Sequence, residues 1–119
     1  MEETWFSGVA DELARCVTDA EACAEACEAL LESARDAADD DARRVLRALV
    51  APAAIARVLI DLIDQPPQLV LAACTLCRES ARTAIHDLEA LGDRVDASEV
   101  VPALRASADS CAQLLDAAA

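Results

Sequence analysis

The most regular feature of the chain is a stripe of apolar residues in its first third, spaced alternately four and three residues apart. This spacing places the side chains on one face of a helix, as in the inner face of a helical bundle. The residues between them are mostly alanine, glutamate and aspartate, which favour helix or are readily solvated. The pattern predicts a first helix over residues 7–36, capped by Ser7, whose inward positions are Val9, Leu13, Cys16, Ala20, Cys23, Cys27, Leu30 and Ala34.

Three further stretches repeat this alternation. A second helix is predicted over residues 42–64 after an aspartate-rich turn, a third over 67–91 between Pro67 and Gly92, and a fourth over 97–118 behind a capping box of Asp96 and Glu99. Four helices with short connections predict an all-α fold, an antiparallel up-down-up-down four-helix bundle, as a single domain over residues 1–119. The inward positions of these helices are Val45, Leu49, Pro52, Ala56, Leu59 and Ile63; Val70, Cys74, Cys77, Ala81, Ala84, Leu88 and Leu91; and Val101, Leu104, Ala108, Cys111, Leu115 and Ala118.

The second helix carries apolar residues on more than one face. Residues such as Val50 and Val58 lie outside its inward stripe, and a helix that is apolar nearly all round needs burial on two sides. We therefore predict a possible homodimer through helix 2. At the other end of the chain, Trp5 and Phe6 are expected to pack over one end of the bundle.

The charge of the chain restricts its partners. The formal net charge is −13, and all ten basic residues are arginine. Such a surface repels nucleic acid and anionic membranes, so we expect neither as a partner. The longest uncharged run, residues 65–77, contains two prolines and is too short to span a bilayer. The acidic first residues predict no signal peptide, and a cytoplasmic protein is expected.

The chemistry of the chain is concentrated in six cysteines, all at predicted inward positions. In a reducing compartment they indicate metal binding, redox chemistry or plain packing rather than structural disulfides. Thiolates prefer soft metals, and Cu(I) is satisfied by two or three of them, whereas zinc usually takes four ligands. In an antiparallel bundle with a 1.5 Å rise per residue, the cysteines should form one group and one separate pair: Cys16, Cys74, Cys77 and Cys111, and Cys23 with Cys27.

The first helix also resembles a known family. Its phrase Ala-Cys-Ala-Glu-Ala-Cys-Glu, residues 22–28, is similar to the cysteine-rich four-helix-bundle proteins that include the cytosolic copper storage proteins. Cys74 and Cys77 ahead of Ala81 fit the third helix of that pattern, and Cys111 fits the fourth. The resemblance implies Cu(I) bound by core thiolates. Because helix 2 has no cysteine and helix 4 has one, the capacity expected is low.

The alternative is that the cysteines only fill small spaces in the core. Cysteine is among the residues most often fully buried, and the protein would then be a structural or interaction bundle that dimerises through helix 2. An enzyme is not predicted, because no phosphate loop and no nucleophile elbow is present. The single histidine, His86, lies beside the inward stripe rather than on it, so a surface position is expected. A ferritin-like di-iron site would need more histidine.

Overall fold

The computed structural model describes the backbone of residues 2–119 and the side chains of residues 7–119. It contains four α-helices: α1 (Glu2–Ala37), α2 (Asp40–Asp61), α3 (Pro67–Leu91) and α4 (Val100–Ala118), with a short 3-10 turn at Gly92–Arg94. Each helix packs against two others, in the cyclic order α1, α2, α3, α4 and back to α1. The predicted all-α four-helix bundle is confirmed. Trp5 and Phe6 lie outside the residues whose side chains are described.

Contacts between the first and last helices show their relative direction. Arg15 donates to the Gln113 side chain at 2.9 Å, and Asp19 accepts a hydrogen bond from Ser110. The partner in α4 therefore moves back towards the start of α4 as the chain advances along α1, which is the pattern expected of antiparallel neighbours. Among the described residues, no helix is long and apolar enough to cross a membrane.

Three of the predicted helix boundaries have the expected chemistry. The Asp39 side chain accepts from the backbone N–H of Ala42 at 2.7 Å and so caps α2. Pro67 occupies the first turn of α3, where its missing N–H costs nothing. Gly92 ends α3 with φ at 57°, a conformation that favours glycine.

Two predicted caps are wrong. Ser7 does not open the first helix, because α1 already begins at Glu2 and continues through Ser7 to a break at Val9, where φ is −131°. The box of Asp96 and Glu99 does not form either. Asp96 instead accepts from the backbone N–H and the hydroxyl of Ser98, and α4 begins at Val100 without a side-chain cap.

Most predicted inward residues are buried, and three of the five exceptions are shifts of one position. Leu31 is buried in place of Leu30, which is partly exposed. In α4, Val100 is buried in place of Val101, and Leu114 is buried in place of Leu115. A shift of one residue turns a side chain by about 100° around a helix, so it moves between the core and its margin. The other two exceptions, Ile63 and Ala118, are only partly buried. α2 ends at Asp61, before reaching Ile63, and Ala118 is the last residue of α4.

The cap of α2 gives a test of this description. We expect Asp39→Ala to lower the free energy of unfolding by about 1 kcal/mol, because it leaves a helix-terminal N–H without its acceptor. Urea denaturation measures the change. Asp40→Ala is the matched control: it removes the same charge one residue later, from an exposed ion pair with Arg43, and should cost less. Equal losses in the two variants would contradict the capping role.

Candidate metal centre

Three sulfur atoms from three different helices meet in the core. Cys16 of α1 lies 3.8 Å from Cys74 of α3 and 3.6 Å from Cys111 of α4, sulfur to sulfur. All three sulfurs lie within 4.8 Å of one another, and all three residues are buried. We call Cys16, Cys74 and Cys111 the thiol trio.

The helices bring the trio together because their inner faces are in phase at this level of the bundle. Cys16 lies near the middle of α1, Cys74 in the second turn of α3, and Cys111 in the second half of α4. Ala20 and Ala73 beside them are also buried. Small neighbours of this kind allow helix axes to approach closely, so the thiols reach one another across the core.

The remaining cysteines continue the line of sulfur along the bundle. The Cys77 sulfur lies 3.5 Å from the Ser107 hydroxyl. Further along α1, Cys23 and Cys27 lie four residues apart on the same face, and both are buried. Ser107 therefore lies beside the Cys77 sulfur, on the face of α4 that also carries Cys111.

Helix α2 forms an aliphatic wall on this core. Its buried positions include Val45, Leu49, Ala56 and Leu59, and it supplies no sulfur. All six cysteines are free thiols, carried by the other three helices.

Hydrogen bonds within the trio give its members different proton affinities. The S–H groups of Cys111 and Cys74 donate to Cys16 and, against the cost of burial, lower the pKa of Cys16 to about 4. The hydrogen bonds of Cys111 with Cys16, Cys74 and Cys77 raise the pKa of Cys111. For Cys74, donation from Cys111 lowers the pKa, but donation to Cys16 and burial outweigh it and raise the pKa to about 12. One thiolate and two thiols are thus expected at neutral pH.

The other thiols follow the same rule. Donation from Cys27 lowers the pKa of Cys23 against the cost of burial, and the same hydrogen bond, together with burial, raises the pKa of Cys27. Donation from Cys111 lowers the pKa of Cys77, with help from Ser107. Within each group, forming the first thiolate is favoured and forming the second is opposed.

The spacing of the trio fits a soft metal ion. An ion placed equally far from sulfurs at these separations would lie about 2.1 to 2.4 Å from each, which brackets the roughly 2.3 Å length of a zinc–thiolate bond. Three thiolates satisfy Cu(I). A structural zinc site would need a fourth ligand, and His86, on the exposed side of α3, does not provide it.

The sequence pattern predicted the cysteines of this site, but not the polar residues near them. The predicted group of four is present as the trio, with Cys77 beside it but outside the 4.8 Å set. The hydrophobic pattern of the sequence did not identify the polar residues Ser107, Ser110 and Asp19. Ser107 could have been found from its spacing, since it lies three residues after Leu104 and four before Cys111 and so shares their face.

The chain was compared with protein-family profiles, with curated proteins and with solved structures. The profile of a protein family described as copper storage protein matches residues 9–117, which include all six cysteines. Neither the curated proteins nor the solved structures give a significant match.

The burial of the thiols predicts their reactivity. In the folded, reduced protein we expect all six to react with an aromatic disulfide reagent at least about 100-fold more slowly than in denaturant, because reaction requires the core to open. Ala22→Cys, which adds a thiol at an exposed position of α1, is the control and should contribute one fast-reacting group. A native thiol that reacts as fast as the added one would contradict the burial described here.

Proposed function

The chain belongs to the copper storage protein family, and on that premise we propose that it binds Cu(I) through thiolates in the core of its bundle. The observation that carries the proposal is the convergence of the Cys16, Cys74 and Cys111 sulfurs from three helices. Sulfur is the ligand type that selects Cu(I). Three such atoms at bonding separation from a common point are more than packing alone requires.

We propose a low capacity for this member. Its sulfurs fall into the trio with Cys77 beside it and the Cys23–Cys27 pair, so one or two ions are the natural load. Binding uses no catalytic chemistry. Each thiol that becomes a ligand loses its proton to solvent as the ion enters. The ion's positive charge then stabilises neighbouring thiolates that would otherwise repel one another.

The proposed place of action is the cytoplasm. Free thiols are maintained in a reducing compartment, and the six cysteines carry no disulfide. The net charge of −13 favours the approach of a cation and opposes nucleic acid and anionic lipid. The partner that these features favour is therefore a metal ion.

A second candidate function is an interaction bundle whose cysteines are inert. The observation in its favour is the exposure of two valines on α2, Val50 at 54 % and Val58 at 48 %. Large apolar side chains exposed together on one helix are typical of a surface that binds another protein. Under this alternative the reduced protein takes up no Cu(I) in competition with a strong chelator.

The direct test is anaerobic titration of the reduced protein with Cu(I) in the presence of a chromophoric Cu(I) chelator. We expect Cys16→Ala to weaken the tightest site by more than about 100-fold. The loss of a ligand should exceed the 10- to 100-fold cost of losing an outer-shell partner. Cys27→Ala is the matched control, since it removes a thiol of equal burial from the same helix but from outside the trio.

The control should retain the tightest site. Helical content, measured by circular dichroism, should be the same in both variants. If Cys16→Ala binds Cu(I) as tightly as the parent protein, or if the parent does not compete with the chelator, the trio is not a copper site.

The pKa values predict a pH dependence. At neutral pH the Cys74 thiol, whose pKa is raised to about 12, and the Cys111 thiol, whose pKa is also raised, are protonated, whereas Cys16 is ionised. Binding by all three then releases two protons, so the affinity should rise by about 100-fold per pH unit between pH 6 and 8. The same competition titration, corrected for the chelator's own ionisation, measures the slope. An affinity independent of pH would contradict three-thiolate binding.

A further inference from the structure

A surface groove runs between α2 and α3, and its two ends differ in character. At one end is a cavity of about 360 Å³ that is lined by Arg44, Arg47, Arg94 and Asp87. Next to it is a cavity of about 310 Å³, to which α2 contributes only apolar residues besides Arg47. Arg47 and Asp87 line both cavities, so the two form one groove. We call it the α2–α3 groove, with an arginine end and an apolar end.

The arginine end carries guanidinium groups whose charges are not fully balanced. Three of the ten arginines of the chain line it, together with one carboxylate, that of Asp87. Arg44 and Arg94 share the carboxylate of Asp41 at 3.9 and 3.6 Å, distances longer than the about 2.7–2.9 Å of a strong ionic hydrogen bond. Among the side chains of residues 7–119, Arg47 has no ion-pair partner. Three positive charges therefore face two negative ones.

The net negative charge of the chain does not cancel this local excess. At physiological ionic strength, exposed charges more than about 8 Å apart are largely screened from one another. The nearest further carboxylate that lines the groove is Glu79, in the apolar end. It lies two turns of α3 from Asp87, about 12 Å along the axis. Glu79 thus disfavours an anion in the apolar end and leaves the arginine end as the place where one can bind.

The apolar end exposes side chains that no other part of the described structure covers. Leu76 is 55 % exposed, which makes it the most exposed large apolar side chain in the described range. Ala48 and Ala51 are small, so they leave space between the helices beside it, and Ile55 lies at the far end of the groove. An apolar chain in this space would remove Leu76 and its neighbours from water, which is favourable in proportion to the area covered.

From these two ends we propose that the α2–α3 groove binds an amphiphilic carboxylate, a small molecule with one carboxylate group and an apolar chain. Guanidinium groups present paired N–H donors that match the two oxygens of a carboxylate, and Arg44, Arg47 and Arg94 supply them. One excess positive charge matches a monoanion rather than a dianionic phosphate ester. The apolar chain then lies against Leu76.

The length of the groove limits the size of this ligand. Arg44 and Ile55 are eleven residues apart on α2, about 16 Å along the helix axis. That length suits a carboxylic acid with an alkyl chain of medium length, of which decanoate is a soluble example. None of the six cysteines lines the groove, so this proposal does not depend on metal binding.

The test is calorimetric titration of the full chain with decanoate. We expect one site per chain. Butyrate has the same carboxylate with little apolar chain, and decyl maltoside has the same chain on an uncharged group. Below the concentrations at which micelles form, each should bind at least about 10-fold more weakly than decanoate, since each lacks one of the two contacts.

Two substitutions test the two ends separately. Arg47→Gln removes the charge and the paired donors, and should weaken decanoate binding about 10-fold. Leu76→Ser removes the apolar contact, and should weaken it about 5-fold. Because both side chains are exposed, neither change should alter the helical content measured by circular dichroism.

Each substitution has a matched control outside the groove. Arg82→Gln changes an exposed arginine on the side of α3 that faces α4. Leu69→Ser changes a leucine of α3 that is 45 % exposed and does not line the groove. Both controls should bind decanoate as the parent does. The proposal is overturned if the parent takes up no decanoate, if decyl maltoside binds as tightly, or if the controls lose as much affinity as the groove variants.

Discussion

Close approach of helices that carry small side chains on their inner faces is the constraint on which this structure depends. Alanine and cysteine occupy much of the core, with positions such as Ala20, Ala56 and Ala81 fully buried. Because interiors are packed without large voids, small residues bring the helices together. That approach is what allows sulfurs from three helices to come within 4.8 Å of one another. The candidate metal centre is a consequence of how the bundle is packed.

The same packing sets the electrostatics of the core. A buried thiol is a small hydrophobic group that costs little when it is neutral, whereas several buried thiolates without a cation would be costly. The trio reduces this cost by sharing protons: Cys16 accepts hydrogen bonds from the two thiols beside it, and those thiols hold their protons more tightly. A soft cation can replace the shared protons, since it interacts with all three sulfurs together. Protons and metal ions thus compete for the same group.

Most of the fold could be predicted from the sequence because the alternation of four and three is a direct consequence of helical geometry. Every cysteine was placed inward by this rule, and every one is buried. The errors come from interactions that periodicity does not contain. Asp96 binds Ser98 instead of capping α4, which is a choice between two local hydrogen bonds of similar strength. The replacement of Leu30 by Leu31 in the core depends on the rotation of α1 against its neighbours, and the break at Val9 depends on the whole fold.

The sequence could predict which cysteines make up the candidate site, but not which of them lie together in one group. Helical rise placed Cys16, Cys74 and Cys111 at one level, as the structure also has them. Helical rise could not show that Cys77 lies outside the trio. Cys77 is only one helical turn from Cys74, and the direction of its side chain decides whether its sulfur contacts the other three or only lies near them. Ser107 was missed because serine is not an apolar residue and so does not enter a hydrophobic pattern. Yet its hydroxyl is buried and lies 3.5 Å from the Cys77 sulfur, so it is part of the polar surroundings of the cysteines.

Cysteines and acidic residues are distributed unevenly over the four helices. The helix without cysteine, α2, presents an aliphatic wall to the core and an exposed, partly apolar face to solvent. The acidic residues are concentrated on α1, which carries ten of them against two arginines, whereas α2 carries three against four. The outer face of α2 points away from the three sulfurs, which α1, α3 and α4 carry. The proposed metal binding uses only the core-facing sides of α1, α3 and α4, so substitutions on the outer face of α2 should leave it unchanged.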